Sequence, residues 1–120
     1  MIRDAATTER LGTLLSKLTS MTVADELHWE RQIGSAHRYA RWNNHLLILG
    51  PSAPISDQSL PRYLFITPFD SPLCVEINSS DDELGAAVWE LVAAVEAATT
   101  SEPPSDPFAV SEDFLTRLTA

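Results

Sequence analysis

Three histidines, one cysteine and a band of arginines set among aromatics are the residues of this chain with chemistry to offer. His28, His37 and His45 stand nine and eight positions apart, which matches no common metal-binding spacing. Zinc needs three or four convergent ligands, so carboxylates would have to complete any such set. Cys74 and a distant histidine could form a nucleophile–base pair. Yet Cys74 sits in an alternating stretch with no glycine turn to present it, and a small residue on a sheet face accounts for it. The four glycines, Gly12, Gly34, Gly50 and Gly85, form no phosphate-cradling loop. Gly-x-Ser-x-Gly and His-Glu-x-x-His are both missing. The sequence therefore assigns no catalytic residue, no metal ligand and no cofactor site, and the expectation is a protein that is not an enzyme.

Arg31, Arg38, Arg41 and Trp42, with Trp29, Tyr39, His37 and His45 between and beside them, form a candidate basic–aromatic patch. Such a mixture can track phosphates and stack on bases. The competing reading is a half-buried sheet in which arginines lie over aromatic rings. In strand alternation Arg38 and Trp42 share one face.

Charge weighs on that choice. Residues 1–50 carry six basic and five acidic side chains, whereas residues 51–120 carry two and twelve. The net charge of −9 disfavours nucleic acid and anionic membrane and favours a protein partner with a basic surface. Asp81, Asp82, Glu83 and Glu90 are the candidate acidic contact face, flanked by Glu76 and Glu96. The first three also suit the positive end of a helix, which would explain them without any partner.

These groups must be positioned by a small set of elements. Leu11, Leu14, Leu15, Leu18 and Met21 fall at helical spacing, with Asp4, Thr7 and Thr8 as candidate caps and a stop near Ser20 or Thr22. Residues 22–35 allow a short helix opened by Thr22 and Asp25, or a strand in which Leu27, Trp29 and Arg31 alternate; the strand is preferred. Asn43-Asn44 is read as a two-residue turn between antiparallel strands, in preference to one helix through residues 37–49. Prolines 51, 54 and 61 make the next stretch an irregular loop.

Tyr63-Leu64-Phe65-Ile66 reads as a central strand covered on both faces, and Leu73, Val75 and Ile77 as the buried side of a strand paired with it. Ser80 and Glu83 form a capping box for a helix whose stripe of Leu84, Val88, Leu91, Val92 and Val95 packs on Phe65, Val75 and Ile77. The domain is expected to span residues 1–98, followed by a Pro/Ser-rich linker over 99–110. A short amphipathic tail helix over 111–120 then carries Phe114, Leu115 and Leu118 as a candidate apolar contact. Ten residues hold no helix alone in water, so the tail must dock on this domain, on a second copy or on a partner.

The fold class that follows is α+β: an N-terminal helix, an antiparallel sheet of four or five strands, and a long C-terminal helix packed on one sheet face, with the short helical tail beyond. Residues 39–48, Tyr-Ala-Arg-Trp-Asn-Asn-His-Leu-Leu-Ile, locally resemble the Tyr-Ser-x-x-Asn-x-x-Leu-Ile stretch of antirestriction proteins of the ArdC type. Ala40 stands where that family has serine, its downstream pattern is missing, and the likeness covers ten residues of 120. It assigns no family. In element order, size and acidity the chain is similar to several secretion chaperones and toxin-immunity proteins.

The expected function is accordingly that of a small acidic partner-binding protein, with a homodimer as one form of partnership. Two alternatives stand beside it: an acidic mimic of nucleic acid, and a small enzyme with a site under the 51–61 loop. Seven arginines against the single Lys17, with abundant alanine, suggest a bacterial or phage origin. One cysteine, no apolar run near the roughly 20 residues of a membrane span and no apolar leader make the cytoplasm the expected compartment.

Overall fold

Asp4 opens the first element: its carboxylate accepts from the Thr7 N–H at 2.7 Å, and helix α1 runs Ala5–Val23. A computed structural model of the chain describes residues 3–32, 35–53, 59–100 and 119. Thr22 lies inside α1 and is buried, so it opens no second helix. The chain instead turns at Asp25, whose φ of 60° is left-handed, and the N–H groups of Glu26 and Leu27 both bond to Met21 O. Of the strand expected in residues 22–35, Glu30–Arg31 (β1) is realised.

Strands β2 (Arg38–Trp42) and β3 (His45–Gly50) follow, joined by Asn43 and Asn44 with φ of 49° and 61°. Both central residues thus take the positive φ that a type I′ turn demands, which asparagine tolerates. β4 (Tyr63–Pro68), β5 (Val75–Asn78) and helix α2 (Gly85–Thr99) complete the fold. The five strands form one antiparallel sheet in the order β1-β2-β3-β4-β5, an α+β arrangement with a helix at each end of the sequence.

Register divides the sheet into two faces. Arg38, Leu49, Leu64 and Ile77 form one cross-strand row, and Ala40, Leu47, Ile66 and Val75 the next-but-one. From these rows come Ala40, Leu47, Leu49, Leu64, Ile66 and Ile77 of the buried cluster, together with Leu15 and Leu18 of α1 and Val88, Leu91, Val92 and Val95 of α2. The row between them, Tyr39, Ile48, Phe65 and Glu76, belongs to the opposite face. Phe65 is half-buried there, so Leu64 and Ile66 take the core positions expected of it. β4 is therefore buried on one face and half-buried on the other. Val75, expected beneath the long helix, is 45% exposed, and Leu73 and Cys74 precede β5 instead of lying in it.

The cap of α2 also differs from the expected box. Ser80 Oγ donates to Asn78 Oδ1, whereas Asp81 Oδ1 accepts from the N–H groups of Glu83 and Leu84 at 2.9 Å each. Asp81 O accepts from Gly85 N across the turn that leads into α2, whose N-cap position is Leu84 with no side-chain cap bond, so the expected Ser80–Glu83 box does not form. A side chain at Gly85 would collide with Ser79 O, and glycine lets the helix start close against the end of β5. At its far end α2 includes Thr99, which is buried, and so passes the domain limit expected at residue 98. The greater part of the expected linker, and the apolar tail residues Phe114, Leu115 and Leu118, lie outside the described residues.

Candidate interaction surface

Among the described residues β5 is an outer strand of the sheet, and one hydrogen bond sets the phase of its backbone. Ser79 N donates to Arg62 O at 2.7 Å, continuing the ladder in which Tyr63 opposes Asn78 and Leu64 opposes Ile77. In an antiparallel ladder alternate residues bond to the same neighbour. Val75 and Ile77 therefore turn their N–H and C=O groups toward β4. Those of Cys74 and Glu76, and the Asn78 N–H, point to the side where the sheet ends.

Exposed apolar side chains occur along the β4–β5 connection and in β5. Among the described residues, five large hydrophobic side chains are exposed, and three of them are Phe69 at 54%, Leu73 at 74% and Val75 at 45%. Cys74 and Glu76 between and beside them are exposed as well. The corner is held in shape. Phe69 N bonds to Asn44 O at 3.3 Å, Thr67 Oγ1 donates to Leu73 O at 3.2 Å, and Leu73 N donates to Ser71 Oγ at 3.2 Å. Natural sheet edges are usually protected by lysine, proline or a covering segment. Within β5, Glu76 is the sole charged side chain.

At the other edge, β1 pairs only Glu30 with Tyr39 and Arg31 with Arg38. Beyond that short ladder a cleft of about 560 Å³ opens, lined by Leu27, Ala40, Trp42 and Leu46 with Glu26, Glu30 and Arg41 among its polar lining. A smaller hollow of about 290 Å³ beside the 51–61 loop is lined, among the described residues, by Ser59, Pro61, Ser79, Ser80 and Trp89. Among the described residues no group of three or more His, Cys, Asp or Glu side chains converges on a point that would hold a metal ion.

Of the basic–aromatic residues, Arg41 and Trp42 line the same cleft, whereas Arg38 is turned into the core. Arg38 is buried on the helix side of the sheet, where Nε donates to Thr99 Oγ1 at 3.2 Å and Nη2 to Ser52 Oγ at 3.0 Å, with Glu96 Oε2 at 3.5 Å. Arg31 opposes Arg38 in the β1–β2 ladder. Trp42 shares the Arg38 face, as its alternation predicted, and carries the Lys17 ammonium 5.6 Å from its ring centre. Arg41 is exposed on the opposite face with Tyr39.

Of the acidic residues, Asp81 is engaged locally, by the N–H groups of the turn before α2 and by Arg3, 2.9 Å away. The Leu84 N–H that it accepts, and then Glu83 N–H and Arg3, hold its carboxyl below the ordinary value against the opposing effect of burial. Asp82, Glu83 and Glu90 are exposed at or on α2, while Glu76 lies across the sheet.

Three further features were missed from sequence. Tyr63 OH meets His37 Nε2 at 2.6 Å, and Tyr39 OH meets Ser35 Oγ at 2.9 Å, on the face turned away from the helices. Arg62 is buried, donating to the carbonyls of Leu60 and Ala53 with Trp89 stacked 5.1 Å from its guanidinium. The exposed corner itself was hidden because the alternation of Leu73, Val75 and Ile77 signals a buried face without telling where burial stops. Comparison with known proteins finds no matching family model, no matching curated protein and no matching solved structure.

Proposed function

We propose that this chain is a protein-binding domain, acting without catalysis, whose partner docks at the β5 edge. The observation that carries the reading is the coincidence of Phe69, Leu73 and Val75, all exposed, with a strand that is outermost among the described residues and turns backbone groups outward. Exposed apolar residues are unremarkable singly but mark contact sites when grouped. A sheet edge adds directional hydrogen bonds that water alone otherwise satisfies. The net charge of −9 selects a partner whose contacting surface is basic.

Selection of linear peptides from a display library against the purified protein tests this. Enriched peptides are expected to shift the backbone amide resonances of residues 69–78 and to lose affinity for the double variant Leu73→Ser, Val75→Thr. Enriched peptides that shift the 26–32 and 39–46 amides instead, or that ignore the double variant, overturn the assignment to β5.

A further inference from the structure

We infer that the partner contributes an extended segment that joins the sheet as a sixth strand, antiparallel to β5, with an apolar–basic–apolar pattern placing a lysine or arginine opposite Glu76. The inference rests on the reading of β5 as the docking edge and adds the chemistry of what docks.

The backbone phase set by Ser79 N and Arg62 O leaves the N–H and C=O of Glu76 directed outward. An incoming antiparallel residue opposite Glu76 would exchange both hydrogen bonds with it. Side chains of that residue and of Glu76 then lie on the same sheet face, with Cα atoms ~5.5 Å apart. A cation there meets an exposed carboxylate. The residues before and after it fall opposite Val75 and Ile77, on the face that holds the core. Val75 is 45% exposed, and an apolar side chain from an added strand would cover it.

Charge also decides against a second copy as the occupant. Two β5 strands paired along their length would set the Glu76 carboxylates opposite or diagonal to one another, within cross-strand reach. Each copy would also bring a net charge of −9. A basic strand from another protein meets neither cost.

The test uses a fluorescein-labelled peptide, acetyl-Thr-Val-Lys-Val-Thr-amide, and fluorescence anisotropy with the full chain. Methylating the lysine amide nitrogen, which would face β5, is expected to weaken binding about 10-fold or more through the lost hydrogen bond and the clash. Methylating a valine amide nitrogen, which would face away, should leave binding within about 2-fold on the same geometry. Replacing the peptide lysine with glutamate should cost about 2- to 5-fold, and Glu76→Lys in the protein should reverse that preference.

Equal loss from both methylated peptides, or none from either, overturns strand addition while the display selection still stands as a separate test of the edge. No binding by the parent peptide overturns the proposed chemistry. Sedimentation of the chain as a dimer that Glu76→Gln tightens would make a second copy the occupant and overturn it equally.

Discussion

Trp29 Nε1 donates to Thr22 Oγ1 at 2.9 Å, and the same hydroxyl donates to Leu18 O at 2.7 Å. Both residues are buried, so a single oxygen satisfies the indole and ties the chain leaving α1 back onto the helix. Thr22→Val keeps the shape and removes the acceptor. The Trp29 N–H would then be buried without a partner, and the expected cost is about 1–3 kcal/mol. Thr22→Ser should retain most of that stability. Urea unfolding of the two variants measures the difference, and equal midpoints would show that the hydroxyl is not needed.

That tie also shows where sequence reading stopped. The apolar spacing of α1, the Asn43-Asn44 turn and the stripe of α2 were all legible, because each is written in local periodicity or in positive-φ chemistry. Thr22 carried a competing local signal, that of a helix cap, and a contact seven residues away at Trp29 overrode it. Phe65 failed for a different reason. Tyr63-Leu64-Phe65-Ile66 is apolar at every position, and such a run does not say which alternate pair faces the helices. The β5 corner was legible as a strand but not as an edge, since strand order is a long-range property. Arg38 resembled a surface arginine in sequence and is instead a buried link between β2 and α2.

Arg38 links more groups than its acidic partner does. It bonds to Thr99 and Ser52 and lies 3.5 Å from Glu96, whose side chain is itself 24% exposed. Glu96 Oε1 separately accepts from Ser52 Oγ at 2.9 Å. Glu96→Gln preserves an oxygen for Ser52 and loses only the charge, for an expected cost of about 1 kcal/mol or less. Arg38→Ala empties a buried position and deprives Thr99 and Ser52 of a donor, for an expected cost of about 2–3 kcal/mol at roughly 1 kcal/mol per hydrogen bond plus lost packing. Chemical denaturation that ranks the two variants in the opposite order would show the ion pair, not the hydrogen bonds, to be the stabilising element.

Asp81 gives the fold a defined acid sensitivity. Its carboxyl is held below the ordinary value chiefly by the Leu84 N–H, so the folded state binds this proton less readily than the unfolded chain. Its contribution is therefore complete above the unfolded value near 3.8 and is lost as the pH falls through the lower folded value. Asp81→Asn removes the charge at every pH, weakening the hold on the turn before α2 and the contact with Arg3. Asparagine keeps an oxygen for the Glu83 and Leu84 N–H groups, so the variant should be less stable than the parent at pH 7 only by the share of the charge, about 0.3–1 kcal/mol. The gap should narrow below pH 4. Unfolding curves at pH 7 and pH 3 with an unchanged gap would mean that Asp81 contributes through shape alone.

The end of α2 offers the sharpest test of where the folded unit stops. Thr99 is buried, its hydroxyl donating to Val95 O at 2.8 Å and accepting from Arg38 Nε at 3.2 Å. A chain ending at Thr100 retains both bonds and every residue of the buried cluster. A chain ending at Ala98 loses the acceptor for a buried guanidinium. Thermal unfolding is expected to show the longer truncation within about 0.5 kcal/mol of the full chain, since it keeps every described residue of the cluster. The shorter one should fall a further 1–3 kcal/mol or so, the cost of a donor left without its partner. Binding of the strand peptide to the chain ending at Thr100 should match the full chain, because β5 and the Phe69–Val75 corner are intact in both. Loss of folding in that truncation would place residues 101–120 in the core, and loss of binding alone would place them at the β5 edge.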